Sequence, residues 1–172
     1  MAEQKNRKHP TIFVDMDGVT ADFDRHYEGV IGPLPARDGI DRDVDWEAIN
    51  KIDFFLTMPP MPDAEQLWDF LNSLPNKKVM LTGVPSTGTK RAEENKTQWA
   101  AKQPFIPDDV EVRCVRSRDK AKHCEPGDIL IDDWTKYQHL WEAAGGVWIT
   151  HLNAKDTIRQ VKDHLARRVL AL

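Results

Sequence analysis

The sequence predicts an α/β protein: a parallel five-stranded sheet flanked by helices, with a small cap inserted after the first strand. Three observations predict it. Five short apolar runs recur along the 172 residues, most of them rich in β-branched side chains. Helical patterns separate most of these runs. One stretch, residues 22–62, breaks the rhythm and is rich in Asp, Gly, Pro and aromatics.

Residues 11–14 (TIFV) are continuously apolar, as a parallel strand covered on both faces requires. Residues 77–82 (KKVMLT), 110–115 (VEVRCV), 128–132 (DILID) and 147–150 (VWIT) supply four more. The helical pattern over 63–74 puts Leu67, Trp68, Leu71 and Leu74 on one face. Asp63 is placed to cap it, with Gln66 three positions later as in a capping box. Residues 89–103 are polar, contain Ala and read as helix. Residues 135–144 form another helix, ended by Gly145-Gly146. The last helix, 154–170, repeats apolar residues at Ile158, Val161, Leu165 and Val169. Strands alternating with helices give a parallel sheet with right-handed crossovers.

Residues 22–62 show only short helices, such as 45–51. An insertion directly after the first strand overhangs the carboxyl edge of the sheet, where ligands bind in open α/β folds. The expected division is therefore a core of residues 1–21 and 63–172 and a cap of 22–62. Pro59-Pro60-Met61-Pro62 is the return linker.

A formal net charge of −4 argues against a protein held on long nucleic acid by charge. No apolar run approaches the roughly 18 residues that would span a bilayer, so no membrane partner is expected. Residues 1–10 are polar and basic, unlike a signal peptide. Cys114 and Cys124, with only His123 beside one of them, make no zinc pattern and read as plain thiols of a reducing compartment. The chain reads as cytoplasmic.

The residues that carry chemistry cluster at strand ends. Asp15 and Asp17 follow the first strand, and side chains two apart on an extended chain point the same way. Two such carboxylates repel unless a cation or a shared proton relieves them. Gly18 allows a turn and a close backbone approach to a ligand. A plain Asp/Gly turn would use the same residues. Asp132 and Asp133 end another strand, and in a parallel sheet both acidic pairs reach one edge. Four carboxylates there suit a hard cation such as Mg²⁺, although Asp133 is also placed to cap the helix that follows. Thr82 and Gly83 end a third strand at that edge, and a hydroxyl beside backbone N–H groups can hold phosphate oxygens. Ser86, Thr87 and Thr89 lie nearby. Phosphoryl transfer needs positive charge around the phosphate, for which Lys90, Arg91, Lys96, Lys120 and Lys122 are candidates.

Together these segments resemble the haloacid dehalogenase superfamily. Asp15-Met16-Asp17-Gly18-Val19 is similar to its first motif, Leu81-Thr82-Gly83 to its second and Ile131-Asp132-Asp133 to its fourth. More closely, residues 15–23 (DMDGVTADF), Phe54-Phe55-Leu56 before Pro60-Met61-Pro62, Lys96-x-x-Trp99 and Arg118-Asp119-Lys120 resemble the 5'(3')-deoxyribonucleotidase family. The resemblance implies a Rossmann-like core and hydrolysis of nucleoside monophosphates. By matched position it implies Asp15 as nucleophile and Asp17 as acid and base. It implies Mg²⁺ on Asp15, the Asp17 carbonyl and Asp132, with Asp133 holding a metal-bound water. Gly18, Thr82, Gly83, Lys96 and Lys120 are then phosphate-binding, and a homodimer is implied as well. Position 20 is Thr where the family usually has Leu, and two extra residues set Lys120 and Lys122 in competition for one role. Phe23, Phe54 and Phe55 are expected to line a base pocket, with Trp46 more in keeping with a small cap core. Trp68, Trp134, Trp141 and Trp148 read as packing. A phosphatase acting on a sugar phosphate or another small phosphoester, and a silent nucleotide-binding relative, remain as alternatives.

Overall fold

The computed structural model describes residues 9–170; the basic segment read at the amino terminus lies largely outside them. In chain order the elements are β1 (Ile12–Val14), α1 (Phe23–Val30), β2 (Arg37–Asp38), β3 (Asp41–Arg42), α2 (Trp46–Asn50), α3 (Ala64–Asn72), β4 (Lys78–Gly83), α4 (Thr89–Lys102), β5 (Glu111–Val115), β6 (Ile129–Asp132), α5 (Gln138–Ala143), β7 (Val147–Thr150) and α6 (Ala154–Leu170). Five strands pair in parallel in the order β5-β4-β1-β6-β7. The strand and helix spans agree with the sequence reading to within one or two residues, apart from the segment before α5. There the chain first makes a 3₁₀ turn, Thr135–Tyr137.

The pleat sorts the apolar runs onto two faces. Ile12 and Val14 of β1 pack with Leu67, Trp68 and Leu71 of α3, Trp99 of α4 and Val161 of α6. Phe13 points the other way, into Val79, Leu81, Leu130 and Trp141. Its ring meets that of Trp141 edge-on at 5.3 Å. Helices thus cover both faces, which is why β1 and β6 in the middle of the sheet are buried along their whole length. The chain runs outward from β1 to β4 and β5 on one side, and later to β6 and β7 on the other. That reversal puts a crevice at the carboxyl end of β1.

The capping box expected at the start of α3 does not form: Asp63 makes no side-chain cap there. Its Oδ2 accepts instead from the Ala154 amide, at the first residue of α6, at 2.6 Å. A carboxylate satisfies a free helix N–H in either place, and the packing of α3 against α6 presents the other helix's end first.

Residues 22–62 do not carry a core of their own. Tyr27, Val44, Ile49 and Phe54 join the same apolar cluster as Ile12 and Val14. The segment leaves and returns side by side, with Asp22 N–H donating to Pro59 O and Met61 N–H to Thr20 O, both at 2.8 Å. On one flank it is tied to α4, where Trp99 Nε1 donates to Met58 O at 2.7 Å and Arg91 Nε pairs with Asp53 Oδ1 at 2.9 Å. On the other, the β2–β3 hairpin meets the chain after β6: Trp134 Nε1 donates to Ile40 O at 3.2 Å, and Lys136 Nζ pairs with Asp41 Oδ2 at 2.7 Å. Cys114 and Cys124 are free thiols. No described helix is long and apolar enough to cross a membrane.

Candidate active site

Asp15 to Ala21 form a tight turn at the end of β1. Thr20 and Ala21 N–H groups both donate to Met16 O at 2.8 Å, and Gly18 N–H donates to Ala21 O at 2.9 Å. Gly18 has φ +76°, and a Cβ there would strike the Asp133 carboxylate. Both facts exclude other residues. The close approach also explains Asp133: it does not cap the following helix but stands against the Gly18 turn. Asp132 takes a local capping role, its Oδ1 accepting from Trp134 N–H at 2.9 Å. Thr20 is fully buried. Its Oγ1 donates to Asp15 O at 3.0 Å and accepts from Trp68 Nε1 at 3.3 Å. The hydroxyl that departs from the family's Leu therefore ties the backbone of Asp15 to α3.

Two buried lysines organise the carboxylates. Lys96, wholly buried in α4, puts Nζ 2.6 Å from Asp17 Oδ2, 2.8 Å from Thr82 Oγ1 and 2.8 Å from Gly83 O. It also lies 4.5 Å above the Phe55 ring centroid. Lys120 Nζ lies 2.7 Å from Asp132 Oδ2 and 3.0 Å from Asp15 Oδ1. Asp15 Oδ1 also accepts from Met16 N–H at 2.8 Å. Lys122, the rival by sequence, is exposed and pairs with Asp119 at 2.9 Å. Lys90 is exposed, and Arg91 is committed to Asp53. Thr87 and Thr89 are engaged with Asn50 and Pro85 O, whereas Ser86 lines the cleft.

The ionisations follow from burial. Burial raises the Asp17 pKa above the usual carboxylate range; Lys96 opposes the rise and Asp15 adds to it. Burial pushes Asp132 up to about 7, with Lys120 pulling it down and Asp15 pushing it further up. Asp133 is held well above the ordinary value by burial and by the charges of Asp15 and Asp132. Burial works against the Lys120 ammonium, but Asp132 and Asp15 outweigh it and hold Lys120 above the usual lysine range. Carboxylate oxygens of Asp15, Asp132 and Asp133 lie within 4.8 Å of one another. Such crowded, desolvated oxygens fit a hard divalent cation.

A cleft of about 840 Å³ opens above these residues. Asp15, Asp17, Gly18, Gly83, Lys120 and Asp133 lie on the core side. Phe23 and Phe55 line the side facing them. Phe54 is placed differently from expectation: fully buried, its ring sits 4.7 Å from His26 and 5.1 Å from Phe23, inside the core rather than on the cleft. Trp46 departs in the opposite sense. It is 40% exposed and lines the cleft. Trp134, read as packing, also lines it. Sequence reasoning missed Arg37, Ile40, Asp41 and Arg42 of the hairpin and Arg116 after β5, all of which face the cleft. A hairpin of charged residues offers no apolar period, so only its Asp38-Gly39 turn was a local signal.

No family model matches the sequence. The human cytosolic 5'(3')-deoxyribonucleotidase is 31% identical over 143 residues, covering 71% of this chain and 69% of the relative. The chain belongs to the haloacid dehalogenase superfamily, in its 5'(3')-deoxyribonucleotidase family. Solved structures agree on the fold. A haloacid dehalogenase-like hydrolase of Burkholderia xenovorans LB400 superposes with TM-score 0.53 at 13% identity, over 91% of this chain and 99% of that one. L-2-haloacid dehalogenase of Xanthobacter autotrophicus does so with TM-score 0.50 at 10% identity, over 83% and 77%.

Proposed function

We propose that the chain is a magnesium-dependent phosphatase that hydrolyses nucleoside monophosphates, deoxyribonucleotides by preference, through an aspartyl-phosphate at Asp15. The observation that carries the reading is the pairing of Asp15 with Lys120 and of Asp17 with Lys96 at one sheet edge, beside Asp132 and Asp133. The 31% identical human relative, a 5'(3')-deoxyribonucleotidase by name, supports the substrate class.

In this reading a carboxylate oxygen of Asp15 attacks phosphorus and the bond to the leaving ribose oxygen breaks. Lys96 and Lys120, with Thr82, Gly83 and Gly18, hold the phosphate oxygens and offset their repulsion from Asp15. Asp17 delivers a proton to the leaving oxygen. Its raised pKa favours the acid form, and its Oδ1, buried without a partner among the described residues, is free to hand that proton on. Asp17 then takes a proton from the water that attacks the phosphoryl-Asp15, which releases phosphate and restores the carboxylate. Asp15, Asp132 and the Asp17 carbonyl would hold Mg²⁺, with Asp133 beside them. When bound, the cation neutralises phosphoryl charge. Residues 22–62 act as the cap, with Phe23 and Phe55 offering faces to a base at roughly 1–3 kcal/mol per stacked ring.

A panel of phosphoesters with Mg²⁺ tests the substrate. Deoxyribonucleoside monophosphates should give the highest kcat/KM; sugar phosphates beating every nucleotide would overturn the reading. Asp15→Asn tests the mechanism. It should abolish turnover and keep the melting midpoint, and wild-type turnover in that variant would sink the covalent route.

A further inference from the structure

Gly83 ends β4 in the proposed phosphate cradle, and the space for a side chain there is already taken. A Cβ on Gly83 would strike Ser117 Oγ. The sheet brings that hydroxyl in: Gly83 pairs with Val115 of β5, and Val84 N–H donates to Val115 O at 2.9 Å. Two residues on, Ser117 opens the 3₁₀ turn Ser117–His123. In such a turn side chains three apart eclipse, so Ser117 and Lys120 project from the same side. Lys120 Nζ lies 3.0 Å from Asp15 Oδ1. Ser117 is therefore flanked by Gly83 across the sheet edge and by Lys120 on its own turn, and all three line the cleft with Asp15.

Two hydroxyls stand beside Gly83, and they are used differently. Thr82 is fully buried, and its Oγ1 lies 2.8 Å from Lys96 Nζ. Ser117 is half-buried on the cleft wall, and its Oγ has no hydrogen-bond partner among the described residues. Unlike Asp17 Oδ1, it is not sealed from the surface. Ser86 also lines the cleft, but from an exposed position in the loop after β4. A hydroxyl with an uncommitted proton, fixed next to an ammonium, suits an anionic oxygen.

We propose that Ser117 is a further phosphate-binding residue: its O–H donates to an oxygen of the phosphoryl group held by Gly83 and Lys120. This rests on the proposed function for the presence of a phosphoryl group, but not for the leaving group it carries.

Inorganic phosphate is the probe, because it has no leaving group. Its Kd in the presence of Mg²⁺ is measured by calorimetry for wild type and Ser117→Ala, alongside kcat/KM on nucleoside monophosphates and sugar phosphates. A hydrogen bond to a charged group is worth roughly ten- to a hundredfold, so Kd should rise and kcat/KM for the best substrate should fall by that factor. The melting midpoint without phosphate should stay at its wild-type value, since the hydroxyl holds no protein group. Wild-type Kd and kcat/KM in Ser117→Ala would overturn the proposal. Ser117→Cys keeps the bulk and offers only a weak donor, so it should lose as much, and it decides where Ser117→Ala gives no folded protein. Wild-type affinity in Ser117→Cys would assign Ser117 to packing and sink the idea. If wild type binds phosphate but hydrolyses no nucleotide, the nucleotidase reading fails and the Kd ratio still judges Ser117. If wild type binds no phosphate, both fall.

Discussion

Replacing Lys96 by Met is the most informative single change. The substitution keeps length and apolar bulk and removes one ammonium. Nζ is within 2.8 Å of Asp17 Oδ2, Thr82 Oγ1 and Gly83 O, so three oxygens lose their donor at once. In the proposed reaction the same ammonium faces a phosphoryl group whose charge spreads over its equatorial oxygens. Removing one preorganised donor from a desolvated site costs about 2.7–4 kcal/mol of transition-state stabilisation, a fall in kcat of roughly 10²- to 10³-fold. A second readout separates this from simple damage. Lys96 holds the Asp17 pKa down against burial. Without it the Asp17 pKa rises further. Asp17 must be protonated to act as the acid, so activity is lost as pH rises through its pKa, and that alkaline limb moves to higher pH in the variant. Steady-state kinetics across pH, with Mg²⁺ and a deoxyribonucleoside monophosphate, measures both. A kcat within threefold of wild type, or an alkaline limb that stays put or moves down, would refute the reasoning.

Thr20→Val removes the hydroxyl that accepts from Trp68 Nε1 and donates to Asp15 O, and chemical denaturation should show a loss of about 1–3 kcal/mol. His151 is a pH lever on stability. Burial lowers its pKa below 6.5, with Asp63 and Asp156 pulling upward. The unfolded chain therefore takes up the proton first as pH falls. Stability should decline below about pH 6.5 and level off once the folded form is protonated. Melting midpoints of His151→Asn should show a shallower acid slope than wild type; an equal slope would clear His151 of the effect. Mg²⁺ should raise the melting midpoint, by about 2.7 kcal/mol of added stability at a hundredfold excess over its Kd. Asp132→Asn should remove that shift, and a shift of wild-type size in the variant would place the cation elsewhere.

The sheet was legible because its central strands are short apolar runs separated by helical patterns, the alternation that parallel sheets show. The acidic edge was legible for the same reason: a parallel sheet brings Asp15, Thr82 and Asp132 together whatever the loops do. What escaped detection depends on contacts remote in sequence. Asp63 caps a helix that begins 91 residues later, so the local Gln66 pattern misled. Lys120 and Lys122 are equivalent as letters; the 3₁₀ turn Ser117–His123 buries the first and exposes the second. Phe54 and Trp46 exchange the surroundings expected of them, because one apolar cluster runs through residues 22–62 into the sheet. That cluster takes the Phe54 ring, packed against His26 and Phe23, and leaves Trp46 at the rim.

The charge balance of the edge ties these features together. Four carboxylates, Asp15, Asp17, Asp132 and Asp133, face two ammoniums, Lys96 and Lys120. Fully ionised, the six groups sum to 2 − 4 = −2 in a desolvated pocket. Of the four acids, Asp17, Asp132 and Asp133 have pKa values above the ordinary range, and Asp132 reaches about 7. The pocket therefore takes up positive charge, as protons or as a divalent cation, and the two compete. A bound dication would cancel the −2 and favour the ionised carboxylates. In the proposed reaction a phosphate dianion would then meet a site that no longer repels it. The two buried lysines do not neutralise the edge by themselves: Lys96 is held by one carboxylate and Lys120 by two, all at under 3.1 Å.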